Sequence, residues 1–147
     1  MKKTVTSLGA VILIITTLLA LASCGGGAPD PTLWDSATYK EDTTFGDGAT
    51  TVMVEVRVGE DSVTLTVMTD MTILGAALLE HDLIAGEQGS FGLYVKTVNG
   101  ITADYDVNKS YWSFYKDGEY LMSGVDTTVV ADGDHYEIVY TTERYGE

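Results

Sequence analysis

The stretch that decides the fold is residues 51–69, which read TVMVEVRVGEDSVTLTVMT. Valine occupies every second position from Val52 to Val58, and Val63, Leu65 and Val67 repeat the period after residues 59–61. Alternation of apolar and polar residues is typical of half-buried strands, and a short turn between two such segments indicates a hairpin. The sequence therefore predicts an antiparallel strand pair with one apolar face.

The pattern downstream changes to the spacing of a helix. Apolar residues recur at intervals of three and four between Asp70 or Thr72, the candidate N-terminal caps, and Gly86, the candidate C-terminal glycine. Strand patterns then return at four places, which are residues 91–98, 111–116, 119–123 and 136–141. We predict an α+β fold, in which one helix packs across a mixed or antiparallel sheet of about five or more strands.

Residues 110–119 read SYWSFYKDGE and carry four of the chain's aromatic side chains. Strand pleat places Trp112 and Phe114 on one face, which we expect to pack in the core, and Tyr111 and Tyr115 on the other. Tyrosine rings can stack on a planar ligand, but cross-strand pairing on a solvated sheet face explains them equally well. The predicted ligand-binding wall comprises Phe91, Tyr94, Tyr111 and Tyr115.

The first 24 residues read MKKTVTSLGAVILIITTLLALASC. Two lysines followed by an apolar run at residues 8–22 are typical of a secretory signal, since a membrane span needs about 20 apolar residues. The last four residues are similar to the lipobox of bacterial lipoproteins, in which the cysteine is acylated. Cys24 is also the single cysteine, so it has no disulfide partner within the chain. We predict a lipoprotein signal peptide over residues 1–23 and a membrane anchor at Cys24; an ordinary signal with an incidental cysteine is the alternative.

Removal of the signal makes the chain more acidic. The loss of Lys2 and Lys3 leaves six basic residues against 22 acidic ones, a net charge of −16. A surface of this charge repels nucleic acid, so we exclude nucleic-acid binding. The predicted protein lies outside the cytoplasm, attached to the cell membrane through its lipid.

Residues 24–49 are rich in Gly, Thr and Asp and contain both prolines of the chain. This composition predicts a flexible tether between the anchor and a folded domain at residues 50–147. Its three large rings are Trp34, Tyr39 and Phe45; we expect them to lie exposed, and docking of any of them on the domain is the alternative.

The chain has little that is typical of an enzyme. His81 and His135 are isolated from any nucleophile, and no triad pattern accompanies them. Residues 104–108 copy the first half of a calcium loop, but Lys109 and Tyr115 stand where glycine and glutamate are required. We predict a protein without catalytic activity and without a metal site.

Several features match one known family in order and spacing. They are the helical pattern TILGAALLEHDLI, Gly92, Tyr94, Asn99-Gly100, Tyr111-Trp112, Gly118, Gly124 and Asp132-Gly133-Asp134. Together they resemble the transcobalamin-like C-terminal domain family. The resemblance implies a β-grasp-like fold related to soluble-ligand-binding β-grasp domains. In the animal cobalamin carriers the corresponding domain closes over the corrinoid opposite a helical barrel, for which this sequence has no counterpart.

The predicted function is therefore that of a surface-anchored lipoprotein with a small ligand-binding domain. Following the resemblance, cobalamin or another corrinoid is the candidate ligand, bound together with a partner protein. No other cofactor is predicted. The alternative is a structural or adhesive module that contacts a protein or glycan.

Overall fold

A computed structural model describes residues 30–142. The elements are a 3₁₀-helix (Pro31–Ser36), β1 (Thr43–Gly46), β2 (Thr50–Val58), β3 (Asp61–Thr69), α1 (Leu74–Leu79), β4 (Ile84–Gly89), β5 (Gly92–Val98), β6 (Ile101–Thr102), α2 (Tyr105–Asn108), β7 (Ser110–Lys116), β8 (Glu119–Tyr120) and β9 (Asp134–Thr142). Within these residues, no helix is long and apolar enough to cross a membrane. The predicted signal peptide, Cys24 and residues 143–147 lie outside the described part.

The strands form two sheets. The larger has the order β1-β3-β2-β9-β7-β8 and is mixed, because β1 pairs with β3 and β2 pairs with β9 in parallel. The smaller is antiparallel, with the order β4-β5-β6. The predicted hairpin is confirmed as β2 and β3, in which Val54 lies opposite Leu65 and Val52 opposite Val67.

One face of the larger sheet forms the core. The register aligns Val56 of β2 with Ile138 of β9, and Ile138 with Phe114 of β7, so their apolar side chains share that face. This face packs in one buried cluster with side chains of α1 and the smaller sheet, including Leu78 and Val98. The core is therefore enclosed between the larger sheet on one side and α1 with the smaller sheet on the other.

The predicted α+β fold with one helix across the sheet is wrong. The structure is mostly β, and α1 and α2 are both short. The helix predicted over residues 70–86 extends only from Leu74 to Leu79, because Asp82 adopts a left-handed φ of 54° and the chain continues as β4. Gly86 does not cap a helix. It lies within β4, paired with Val95 of β5, and a Cβ at this position would collide with the carbonyl oxygen of Tyr94.

The segment predicted as a tether contributes to the folded domain from residue 30 onward. Its 3₁₀-helix begins after Asp30, whose side chain accepts from the Thr32 amide, and β1 adds a strand beside β3. The prediction that its rings lie exposed is wrong, since Trp34, Tyr39 and Phe45 all pack against the core.

Asn99 fastens this N-terminal segment to the domain. Its side chain accepts from the Tyr39 amide at 2.8 Å and donates to the Tyr39 carbonyl at 2.8 Å, while its own carbonyl accepts from the Thr38 amide. Asn99 is 1% exposed and adopts a φ of 50° in the turn between β5 and β6. Asn99 and Gly100 both adopt positive φ in this turn, and the same asparagine also joins the two segments by hydrogen bonds.

The start of β9 is held by a carboxylate. Asp134 Oδ2 accepts from the Ala131 amide, the Lys116 ammonium and the Tyr136 hydroxyl, each at 2.9 Å. Burial raises the pKa of the Asp134 carboxyl, but the hydrogen bonds from these three donors lower it by a larger amount. The pKa therefore lies below its usual value. Burial, aided by the same carboxylate, raises the pKa of Tyr136. The Tyr136 ring is thus fully buried with its one polar atom hydrogen-bonded.

We expect Asn99→Asp to lower the free energy of unfolding by about 1–3 kcal/mol, because one carboxylate oxygen would face the Tyr39 carbonyl and leave it without a donor. Urea denaturation of the full chain measures this difference. Gln88→Glu on the exposed edge strand β4 is the matched control, since it also exchanges an amide for a carboxylate. Equal stability of the two variants would show that Asn99 does not fasten the segment.

Candidate functional site

An open groove lies where the smaller sheet meets the edge of the larger one. It is lined by residues 93–95 of β5, by Trp112 and Phe114 of β7, and by residues 120–125, and its volume is about 380 Å³. This volume is within the range of small-molecule sites, which are concave and predominantly apolar. The lining includes no Asp, Glu, Lys, Arg or His side chain. The groove is therefore suited to bind the uncharged surface of another molecule.

Trp112 lies at the inner end of the groove in a fixed orientation. Its Nε1 donates to the Lys96 carbonyl at 3.1 Å, and its ring meets Tyr140 edge-on at 5.4 Å between centroids. The prediction that Trp112 packs in the core is confirmed by its exposure of 6%. Phe114, on the same face, is only partly buried and also packs against the core. Both rings therefore pack against the core and also line the groove.

The outer rim of the groove exposes large apolar side chains. Tyr94 is 47% exposed and Met122 is 89% exposed. Phe91, in the turn between β4 and β5, is fully exposed. Contiguous exposed apolar surface around a cavity is typical of a binding site rather than of a solvated surface.

The structure does not bring the four residues of the predicted wall together. Tyr94 lines the groove, and Phe91 lies at the tip of the neighbouring hairpin. Tyr111 and Tyr115 lie on the opposite face of β7 from Trp112 and Phe114, as the pleat predicted, and that face points away from the groove. Tyr115 meets Tyr120 edge-on at 5.5 Å, so cross-strand pairing accounts for its ring.

Sequence reasoning missed residues 120–125 as a wall of the groove. The sequence predicted a strand over residues 119–123, but only Glu119 and Tyr120 form one, and the chain leaves the sheet after Tyr120. Leu121 and Met122, two apolar residues directly after a turn and a short strand, were the available signal. Trp112 and Phe114 were assigned to the core alone, because pleat separates the two faces of a strand without showing which face has an open end.

The groove borders a charged pair on β4 and β5. Lys96 Nζ lies 3.1 Å from Glu87 Oε1, and this hydrogen bond raises the pKa of the lysine. Neither side chain lines the groove. The pair is exposed, so it contributes more to solubility than to binding.

A second, smaller cavity of about 150 Å³ lies at the opposite edge of the larger sheet, beside β1 and β3. It includes His81, whose Nε2 is buried without a hydrogen-bond partner in the described structure and lies 3.8 Å from Glu80 Oε2. The His81 ring also lies 5.6 Å from that of Phe45. Across residues 30–142, no group of three or more His, Cys, Asp or Glu side chains has the arrangement that a metal ion requires.

The residues that copy half a calcium loop form a helix cap instead. Asp104 Oδ1 accepts from the amides of Asp106 and Val107 at the start of α2. Asn108 Oδ1 accepts from the Ser110 hydroxyl, and Lys109 ends the helix with a φ of 58°. These residues thus connect β6 to β7 through one short helix.

Comparison with known proteins identifies relatives of the domain. The profile of a family described as Domain of unknown function (DUF4430) matches residues 70–142. A protein from Ruminococcus gnavus described as a candidate metal-binding protein has a crystal structure with a TM-score of 0.61. It is 31% identical to this chain, and the match covers 65% of this chain and 99% of that one. None of the curated proteins matches the chain.

A second solved structure shares the fold. Haptocorrin, crystallised in complex with Cbi, matches with a TM-score of 0.52 and 22% identity, over 67% of this chain and 26% of haptocorrin. At this identity the likeness concerns the fold, and most of haptocorrin has no counterpart here. The predicted resemblance to transcobalamin-like domains is confirmed at the level of the fold.

We expect Gly92→Ala to destabilise the protein more than Gly118→Ala. Both glycines have positive φ, 103° and 81° respectively, so each substitution introduces backbone strain of about 1–3 kcal/mol. A Cβ at position 92 would also collide with the Asp126 carboxylate, whereas position 118 has open space around it. The difference between the two melting temperatures therefore measures the carboxylate contact, and equal melting temperatures would argue against it.

Proposed function

We propose that the groove binds a small, largely apolar molecule without transforming it. The chain belongs to the family described as Domain of unknown function (DUF4430). The observation that carries this proposal is the open groove itself, with two large rings inside it and exposed apolar side chains at its rim. A soluble domain gains nothing in stability from leaving such surface in water. Occupation by a ligand would remove it from water.

The electrostatics of the domain narrow the class of ligand. The chain carries 22 acidic residues against eight basic ones, so a strongly anionic molecule is repelled at long range. The groove itself is lined by uncharged side chains. A neutral or cationic planar molecule satisfies both conditions, and a corrinoid is of this class. The Cbi complex of haptocorrin, which shares the fold, makes corrinoids the first ligands to test.

A partner protein completes the proposed site. The groove is open on one side, and Phe91 and Met122 beside it are exposed. A ligand bound here would keep one face in water, so the domain by itself binds more weakly than a closed carrier. A second protein or domain that covers this rim would enclose the ligand.

Tyr94→Ala is expected to weaken the binding of cobinamide by about tenfold, because truncation of a half-exposed ring removes contact with ligand without disturbing the core. Titration of the full chain followed by corrinoid absorbance and calorimetry gives the affinity. Tyr111→Ala is the matched control, a tyrosine on the face of β7 directed away from the groove. The aromatic wall predicted from the sequence requires the opposite, a loss of affinity in Tyr111→Ala and Tyr115→Ala.

Absence of cobalamin and cobinamide binding by the unsubstituted chain at millimolar concentration would reject the corrinoid ligand. The second candidate function, a structural or adhesive module, would then be favoured. One observation supports it: the face of the larger sheet opposite the core carries Tyr111, Tyr115 and the polar pair Ser113 and Thr141, which are joined at 2.7 Å. A flat sheet face of this kind is suited to a protein or glycan rather than to a small molecule.

The proposed location is the outer side of the cell membrane, with the protein attached through a lipid on Cys24. The support is the signal-like sequence of residues 1–23, the lipobox-like residues 21–24 and the lack of a second cysteine. Two or more acyl chains give stable attachment, whereas a single chain is marginal.

Cys24→Ser is expected to abolish partitioning of the protein into the detergent phase while leaving the folded domain unchanged, because the acyl chains account for the attachment. Phase partitioning with a nonionic detergent, followed by immunoblotting, measures the distribution. Ser23→Ala is a control that leaves the cysteine in place. Equal partitioning of Cys24→Ser and the unsubstituted protein would reject the lipid anchor.

A further inference from the structure

The loop that forms one wall of the groove is fastened unequally on its two sides. Towards α1 it is held by backbone hydrogen bonds: the Gly75 amide donates to the Val125 carbonyl and the Leu74 amide to the Thr128 carbonyl, both at 2.8 Å. Towards β5, which forms the facing wall, it is held by the side chain of Asp126. Asp126 Oδ2 accepts from the Leu93 amide at 3.1 Å. Within the described residues, no other hydrogen bond joins this loop to β5.

The Asp126 carboxylate occupies a space that two glycines leave free. A Cβ at Gly92 would collide with Oδ2 and lie 2.6 Å from Oδ1, and a Cβ at Gly124 would lie 2.9 Å from Oδ1. Gly92 and Gly124 belong to opposite walls of the site, since Gly92 begins β5 and Gly124 lies in the loop. The carboxylate is thus enclosed by both walls at once.

The hydrogen-bonding capacity of the Asp126 carboxylate is only partly used. Oδ1 is buried and has no hydrogen-bond partner among the described residues. A buried acceptor without a donor costs free energy, and natural proteins retain such groups mainly where function requires them.

We infer that Asp126 is a positioning residue, which sets the spacing between the β5 wall and the loop wall and thereby holds the groove open to the width of its ligand. This inference rests on the proposed function of the groove. Asp126 itself does not line the groove. It acts through Leu93, whose amide it binds, and through Val125, its neighbour in the loop.

Asp126→Ala in the full chain is expected to weaken cobinamide binding by about tenfold, since the Leu93 amide loses its acceptor and the two walls lose their connection. Asp126→Asn retains an oxygen that can accept from the Leu93 amide, so it is expected to bind more tightly than Asp126→Ala. Asp132→Ala is the matched control, because Asp132 Oδ1 accepts from the Thr51 amide at 2.8 Å and does not contribute to the groove. Its affinity is expected to equal that of the unsubstituted chain.

A ligand-free measurement tests the spacing of the walls directly. The chain has two tryptophans, so the substitution Trp34→Phe leaves Trp112 as the single reporter inside the groove. Acrylamide quenching of Trp112 fluorescence is expected to increase in Asp126→Ala and to stay unchanged in Asp132→Ala. Circular dichroism confirms that each variant is folded, and Asp126→Ser, whose hydroxyl is too short to reach the Leu93 amide, replaces Asp126→Ala if that variant does not fold.

The outcomes separate this inference from the function on which it rests. If the unsubstituted chain binds cobinamide and Asp126→Ala or Asp126→Ser binds it equally well, the positioning role is overturned. If the unsubstituted chain binds neither cobinamide nor cobalamin, the proposed corrinoid ligand fails. The quenching of Trp112 then decides the positioning role by itself, and unchanged quenching in the Asp126 variants overturns it.

Discussion

The parallel pairing of β9 with β2 is the interaction on which the rest of the domain depends. It places Tyr136 beside Val54 and Ile138 beside Val56, and on its other edge β9 pairs with β7. The last strand thereby joins the N-terminal hairpin to the aromatic strand in one sheet with a continuous apolar face. Tyr136 can lie fully buried at the centre of this face because the Asp134 carboxylate accepts a hydrogen bond from its hydroxyl. Without this strand the two halves would expose their apolar faces separately.

The groove is a consequence of how far the smaller sheet extends over that face. Where β5 passes over β7, the Lys96 carbonyl accepts from Trp112 and the ring is almost completely buried. Two residues further along β7, Phe114 is only partly covered, because β8 and the loop at residues 121–125 replace the smaller sheet there. The same apolar face therefore serves as core at one end and as the wall of an open groove at the other. A binding site built this way inherits its rigidity from the core.

Local features of the chain could be predicted where one short-range rule decides them. Alternating valines specified β2 and β3, and the pleat of residues 111–115 separated two rings on the core side from two tyrosines on the other. The dipeptides Asn99-Gly100 and Asp117-Gly118 both form turns with positive φ at each residue, as their composition predicts. The residues that line the groove were harder to predict. Tyr94 was identified, but Tyr111 and Tyr115 were grouped with it only because they are aromatic and close in sequence.

The sequence by itself determined the hairpin of β2 and β3, the acidic charge and the separation of the two faces of β7, because these depend on residues within a few positions of one another or on composition alone. Only the tertiary structure decided that the helical pattern after Asp70 stops at Leu79. Ile73 pairs with Val129 in an isolated bridge, and Asp82 turns the chain into β4. Only the tertiary structure decided which face of β7 meets the groove, and that Gly92 and Gly124 leave room for Asp126 from a distant part of the chain. Periodicity is a property of one segment, whereas burial and close approach depend on which segments pack together, and residues more than 30 positions apart in sequence carry no local signal of their contact.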